Sequence, residues 1–160
     1  MSKGRLSWEE QKKRYEQRNC HYWKDMEVDQ EFEPFIFPIT DELVEEIMEV
    51  TGDRNHIYTD KEVAKEASFP GRIAPQASAM IFGRLSYLGE THRPVPGGMA
   101  LGISFWFFKP VQIGDTITSR AKVIAREERK GKKFFTIRAE STNQNDEMVS
   151  IMEQSGILPL

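Results

Sequence analysis

Apolar residues fall along this chain with two different periods, and the change from one to the other organises it. In "DELVEEIMEVTG", Leu43, Val44, Ile47 and Met48 collect on one face of a helix. Asp41 and Glu42 favour the dipole of its first turn, and Gly52 is placed to end it. "DKEVAKEASF" predicts a second, short helix burying Val63, Ala64 and Ala67, broken by Pro70 and Gly71. In "QASAMIFGRLSYLG" the apolar residues cover most of the helix circumference, which predicts a helix buried on nearly all sides. Ahead of these, Ser7 and Glu10 have capping-box spacing and predict a polar surface helix from Trp8. "EFEPFIFPIT" alternates around prolines, as a short edge strand does.

Beyond the buried helix the period becomes two. "MALGISFWFFKPV" reads as an apolar and aromatic strand, and "DTITSRAKVIAREERKGKKFFTIRAESTN" alternates on both sides of the turn "KGK". "EMVSIMEQSGIL" adds a strand after the turn signal "NQND". Early helices, one enclosed helix and a run of neighbouring strands predict an α+β domain, an antiparallel sheet wrapped around a central helix. The hotdog fold has this arrangement. Its open sheet leaves an edge and apolar surface to cover, so at least a dimer is expected.

The chain has 160 residues, which suits one hotdog domain, residues 22–160, preceded by a helical extension, residues 1–21. A formal charge of −3 without a dense Lys/Arg face argues against a nucleic-acid binder. Cys20 is the single cysteine, so no internal disulfide and no zinc ligand set is expected. The charged start "MSKGRLSWEEQKKRYEQ" lacks the apolar core of a secretory signal, and no run approaches the ~18 residues of a membrane span. A cytoplasmic protein without membrane contact is the expectation.

Chemistry concentrates in "TGDRNHIYTD", between the two predicted helices. Asp53 reads either as a catalytic carboxylate or as a turn residue that bonds its own backbone. Together with "GRIAP", with "FFKPVQIGDTITSRAKV" and with "STNQNDEMV", the stretch resembles the MaoC-like hydratases and dehydratases. In that family a Gly-Asp-x-Asn-Pro-x-His-x-Asp loop is followed by a His-Gly that opens the buried helix. The resemblance implies addition or removal of water at an enoyl thioester carried on coenzyme A or acyl carrier protein, with no cofactor and no metal. It implies that the loop Asp and His move protons while a backbone N–H at the helix start polarises the thioester carbonyl.

Gly52, Asp53 and Asn55 match that motif, His56 stands at its proline, and Tyr58 stands at its catalytic histidine. A phenol with an ordinary pKa of about 10 donates a hydrogen bond near neutrality and is a poor base. The family His-Gly is replaced by Pro75 and Gln76; Pro75 has no N–H, so the thioester donor falls to the amide of Gln76 or Ala77. These departures are similar to the degenerate fatty-acid-synthase-type-I-like dehydratase subgroup. Such a hotdog pairs with a second one that keeps Asp and His, which implies a homodimer or a heterodimer with a catalytic hotdog subunit.

The catalytic candidates are therefore Asp53, Tyr58 and His56, and the substrate-binding candidates are Asn55, Pro75, Gln76 and Ala77. His56 is two residues out of place, roughly 6 to 7 Å in an extended loop, and a partly exposed loop histidine is the plainer reading. Atypical Asp/Tyr chemistry in a self-sufficient dehydratase, or a homodimeric binding module for a small acyl or aromatic ligand, are the alternatives. His21 and His92 read as surface residues, "FWFF" mostly as core, and "REERKGKK" as a solvated hairpin tip.

Overall fold

The computed structural model describes residues 7–89 and 91–159; residues 1–6 of the expected extension lie outside them. Helix α1, Trp8–Glu16, starts at Ser7 with a complete capping box: the Glu10 amide donates to Ser7 Oγ at 3.3 Å, and the Ser7 amide donates to Glu10 Oε2 at 2.8 Å. No residue of α1 is buried. Strand β1, Asn19–Cys20, then runs parallel to β3, His92–Arg93, tying this arm to the segment after the central helix.

The main sheet has five strands in the order β2-β5-β6-β7-β4, each pair antiparallel. They are β2, Phe35–Pro38; β4, Met99–Phe107; β5, Thr116–Arg129; β6, Lys132–Thr142; and β7, Met148–Leu158. Alternation puts one residue in two on the inner face, so Ile117, Val123, Ile137 and Val149 are each 0% exposed. Helix α4, Ser78–Leu88, lies across this face against β5, β6, β2 and β7, and Phe82 at its centre is 0% exposed. Gly83 permits the contact, because a Cβ there would stand 3.0 Å from Met152 Sδ on β7. The result is an α+β single hotdog domain.

Two further helices lie between β2 and α4 in the chain. Helix α2, Asp41–Thr51, is capped by Thr40 Oγ1, which accepts from the Leu43 amide, and stops at Gly52, whose φ of 72° suits glycine. Helix α3, Lys61–Glu66, is capped by Asp60. It buries Ala64 and half-buries Val63, but Ala67 is exposed, since the helix ends one residue earlier and Ala67 becomes its cap.

Two further expectations change. Trp106, Phe107 and Phe108 are 46%, 44% and 56% exposed, because β4 is the end strand of the sheet, with β7 as its neighbour on one side. His21 and His92 are half-buried and stacked, with ring centroids 4.0 Å apart and planes 11° from parallel, because the β1–β3 pairing sets them side by side. Burial, then the neighbouring His92, hold the His21 pKa below the ordinary histidine value, while a hydrogen bond to the Tyr87 backbone and then the charge of Asp25 oppose the shift. A depressed histidine favours the docked arm above the unfolded value of about 6.5, and that contribution is lost as pH falls through the lowered value. The exchange protection factor of the Asn19 amide, which donates to the Thr91 carbonyl at 2.9 Å, is therefore expected to fall between pH 7 and pH 5 in the wild type and to stay flat in His21→Phe.

Candidate functional site

The loop after α2 is built by short polar side chains bonding the backbone just ahead of them. Thr51 Oγ1 donates to the Ile47 carbonyl at 2.7 Å and accepts from the Asp53 amide at 3.3 Å. Asp53 Oδ1 accepts from the Asn55 amide at 3.1 Å, and Asn55 Oδ1 accepts from the Ile57 amide at 3.2 Å, starting the 3-10 turn His56–Tyr58. The turn reverses the chain, so the Tyr58 hydroxyl donates to Asp53 Oδ2 at 3.0 Å. Asp53 thus uses both oxygens, as a turn former and as partner of the phenol.

Tyr58 is half-buried, with its ring against the cluster formed by Ile39, Val44, Met48, Ala74, Ala79 and Phe82. Burial first, then the hydrogen bond to Asp53 and the charge of that carboxylate, raise the phenol pKa above its ordinary value. It stays protonated across the neutral range, as a donor. His56 is exposed on the same turn, and Asn55 supplies the turn's cap.

The second half of the site is the start of α4. Pro75 is buried, Gln76 and Ala77 are exposed, and Ala77 is the residue before the first helical turn. The amides of Ser78, Ala79 and Met80 donate back to the carbonyls of Pro75, Gln76 and Ala77 at 2.9, 3.0 and 3.1 Å. Among the described residues no protein acceptor takes the amides of Gln76 or Ala77, the usual condition of a helix N-terminus.

Two clefts meet there. One, about 240 Å³, enters beside Pro75 and Gln76 and is floored by Phe82, Phe107 and Val111. The other, about 620 Å³, is an apolar groove between α2 and β4, lined by Ile47, Val50, Ala77, Met80, Ile81 and Phe107. Thr51, at the root of the Asp53 loop, lines this groove too, and Tyr58 packs on the cluster that holds Ala74 and Ala79. The fold therefore brings Asp53, Asn55 and Tyr58 to the same end of α4 as Pro75, Gln76 and Ala77, and leaves His56 on the outside of its turn. Sequence reading missed the groove residues Val50 and Met80, and placed Phe107 in a run read mostly as core. The signal was present in Met80 and Ile81, apolar positions on the side of α4 that the sheet does not cover.

Among the described residues no group of three or more His, Cys, Asp or Glu side chains is arranged to hold a metal ion. No described helix is long and apolar enough to cross a membrane.

The sheet wrapped around α4, with a polar loop set at that helix's start, defines a MaoC-like hotdog of the hydratase and dehydratase class. The family described as "FAS1-like, dehydratase domain region" matches residues 27–152, and the chain belongs to it. A UPF0336 protein from Saccharopolyspora erythraea is 30% identical over 116 residues, 68% of this chain and 72% of that one. The R-hydratase PhaJ1 from Pseudomonas aeruginosa superposes with a TM-score of 0.68 at 25% identity, covering 85% of this chain and 84% of that one. C-terminally truncated HadBC, a 3R-hydroxyacyl-ACP dehydratase complex from Mycobacterium tuberculosis, has a TM-score of 0.69 at 20% identity, covering 82% and 96%.

Proposed function

We propose that this chain is an acyl-thioester-binding subunit of an enoyl-thioester hydratase or 3-hydroxyacyl dehydratase assembly, and that a second hotdog bearing an intact Asp and His supplies proton transfer. The carrying observation is the bond from the Tyr58 hydroxyl to Asp53 Oδ2 at 3.0 Å. Hydration of an enoyl thioester needs a base to take a proton from water as its oxygen attacks the β-carbon, and a proton returned to the α-carbon. A carboxylate occupied by a protonated phenol is poorly arranged for the first step. Binding asks for less: an amide donor for the thioester carbonyl, at Gln76 or Ala77, and an apolar cleft beside it. The carrier is coenzyme A or acyl carrier protein, and no cofactor takes part. Residues 22–160 form the hotdog unit, residues 1–21 an extension, and the cytoplasm is the expected compartment.

The test is direct. The purified chain is expected to bind crotonyl-coenzyme A without hydrating it, and to turn it over when combined with a hotdog that carries Asp and His. Hydration by the chain alone, at the rate of a competent enzyme, would make this reading wrong. The closed set of hydrogen bonds around Asp53 also favours a second reading, a homodimeric module that binds without turnover. Silence in the presence of every Asp/His-bearing hotdog encoded nearby would favour it.

The partner surface is the free edge of β4. Strand β2, the other edge, is short and flanked by Pro34 with Pro38 at its end, features that blunt an edge. Strand β4 spans Met99–Phe107, carries Met99 at 63% and Leu101 at 55% exposure, and adjoins the apolar groove. An edge this long and apolar is stable only when covered. Leu101→Arg is expected to weaken association at least tenfold, read as a shift to the one-chain mass in sedimentation equilibrium, with the far-ultraviolet circular dichroism unchanged.

A further inference from the structure

Among the described residues Asp115 is the only Asp, Glu, Lys, Arg or His that is buried, at 6% exposure, and it lies outside the loop and the helix start described above. A buried carboxylate is costly unless hydrogen bonds satisfy it, and both of its oxygens are used. Oδ2 accepts from the Gln112 amide at 2.8 Å, and Oδ1 accepts from Gln144 Nε2 at 2.9 Å. The same Gln144 head accepts the Thr116 amide on Oε1 at 3.0 Å. The two side chains thus close the turn from Gln112 to Asp115, whose ends are also joined by the Asp115 amide donating to the Gln112 carbonyl at 3.1 Å.

Both halves of the candidate site are anchored on this turn. On one side Ile73 bridges Gln112, the Ala74 amide donates to the Val111 carbonyl at 2.8 Å, and the Ile113 amide donates to the Arg72 carbonyl at 3.2 Å. The residues that follow Ala74 are Pro75, Gln76 and Ala77, at the start of α4. On the other side the Gly114 amide donates to the Ile39 carbonyl at 2.8 Å, and the Ile39 amide donates to the Asp115 carbonyl at 2.9 Å. The next residue, Thr40, caps α2, which ends at the Asp53 loop. An ion pair of Arg72 Nη1 with Asp41 Oδ1 at 2.7 Å joins the two connections directly.

We propose that Asp115 and Gln144 are positioning residues of the thioester site: their clamp on the turn fixes where the start of α4 presents the Gln76 and Ala77 amides to the thioester carbonyl. This rests on the acyl-thioester reading above. Neither side chain lines either cleft, so the effect is one of geometry. A backbone donor serves a polarised carbonyl at about 2.7–3.1 Å, and a displacement of about 1 Å at such a site can cost ~10²-fold. Ala74 is held at Val111, and Gln76 follows it across the rigid Pro75, so a shift of the turn reaches the donors with little slack.

The arrangement of donors and acceptors supplies the test. Asp115→Asn puts an NH2 group where only acceptors fit: it faces either the Gln112 N–H or the Gln144 NH2, and turning Gln144 round to meet it sets the Gln144 NH2 against the Thr116 N–H. Adding Gln144→Glu restores every pairing at the same net charge, since a glutamate offers one oxygen to the Thr116 amide and the other to the asparagine NH2. Asp115→Asn is expected to move the NMR amide shifts of Gln76 and Ala77 in the unliganded chain while that of Gly131, at the tip of the β5–β6 hairpin, stays in place. It is also expected to weaken crotonyl-coenzyme A binding about tenfold and to return the infrared carbonyl stretch of the bound thioester towards its free frequency. The double variant is expected to regain all three. Gln144→Ala, at an exposed position, is expected to act in the same direction and replaces Asp115→Asn if that variant does not fold. Unmoved Gln76 and Ala77 amides in a folded single variant, or a double variant as impaired as Asp115→Asn, would overturn the proposal. The amide shifts are read without ligand, so they decide the clamp even when the wild type binds no thioester, the result that refutes the acyl-site reading instead.

Discussion

Replacing Tyr58 with histidine is expected to raise hydration of crotonyl-coenzyme A by roughly 10²- to 10⁴-fold over the wild-type chain, the usual contribution of one positioned acid-base group. The reason lies in what surrounds the position. The loop around it is already held by Thr51, Asp53 and Asn55 through four short-range hydrogen bonds to the backbone. The ring at position 58 already rests on the core cluster with its polar end at Asp53. An imidazole there inherits a carboxylate partner and, unlike the phenol, exchanges protons near neutrality. The gained activity should rise with pH through the imidazole's titration, near 6.5 before local effects, because the neutral form is the base. Asp53→Asn in the same background should remove it. A Tyr58→His chain that folds, binds the thioester and stays silent would show that the missing group is elsewhere.

Phe82→Ala is expected to cost about 3–5 kcal/mol, a fall in Tm of about 6–20 °C for a domain of this size. Phe82 is 0% exposed, belongs to the cluster with Ile39, Val44, Met48, Ile117 and Val149, and has Phe37 at a ring-centroid distance of 6.3 Å. These neighbours come from the edge strand β2 and the residue after it, from helix α2 and from the inner strands β5 and β7, so they cannot all move inward to fill the space. Phe82→Leu, which keeps most of the volume, should cost roughly 1 kcal/mol. A loss below about 1 kcal/mol for the alanine variant would mean that α4 is not held where its packing puts it.

Much of the architecture was legible because it is set locally. The apolar face of α2 and its stop at Gly52, the capping box at Ser7 and Glu10, and the hairpin of β5 and β6 around "KGK" each depend on residues within a few positions of one another. The site loop was legible in part for the same reason. Its aspartate and asparagine bond backbone amides two residues on, and that chemistry is readable in the order of residue types. What misled was the treatment of an apolar residue as a buried one. The run "FWFF" has the composition of a core strand, but its neighbours in space, and so its exposure, depend on which strand of the sheet ends up at the edge. His21 and His92 are far apart in sequence, and only the parallel pairing of two short strands stacks them.

The sequence alone determined the class of fold, the family motif and the exchange of histidine for tyrosine at position 58, since periodicity, turn chemistry and motif order are properties of neighbouring residues. Only the tertiary structure decided that the Tyr58 hydroxyl closes on Asp53, that α2 and β4 leave an apolar groove beside Gln76 and Ala77, and that α4 packs onto Met152 at Gly83. Each of these is a contact made by closing the chain on itself, and the side chain that fills a given space is chosen by everything else packed around it.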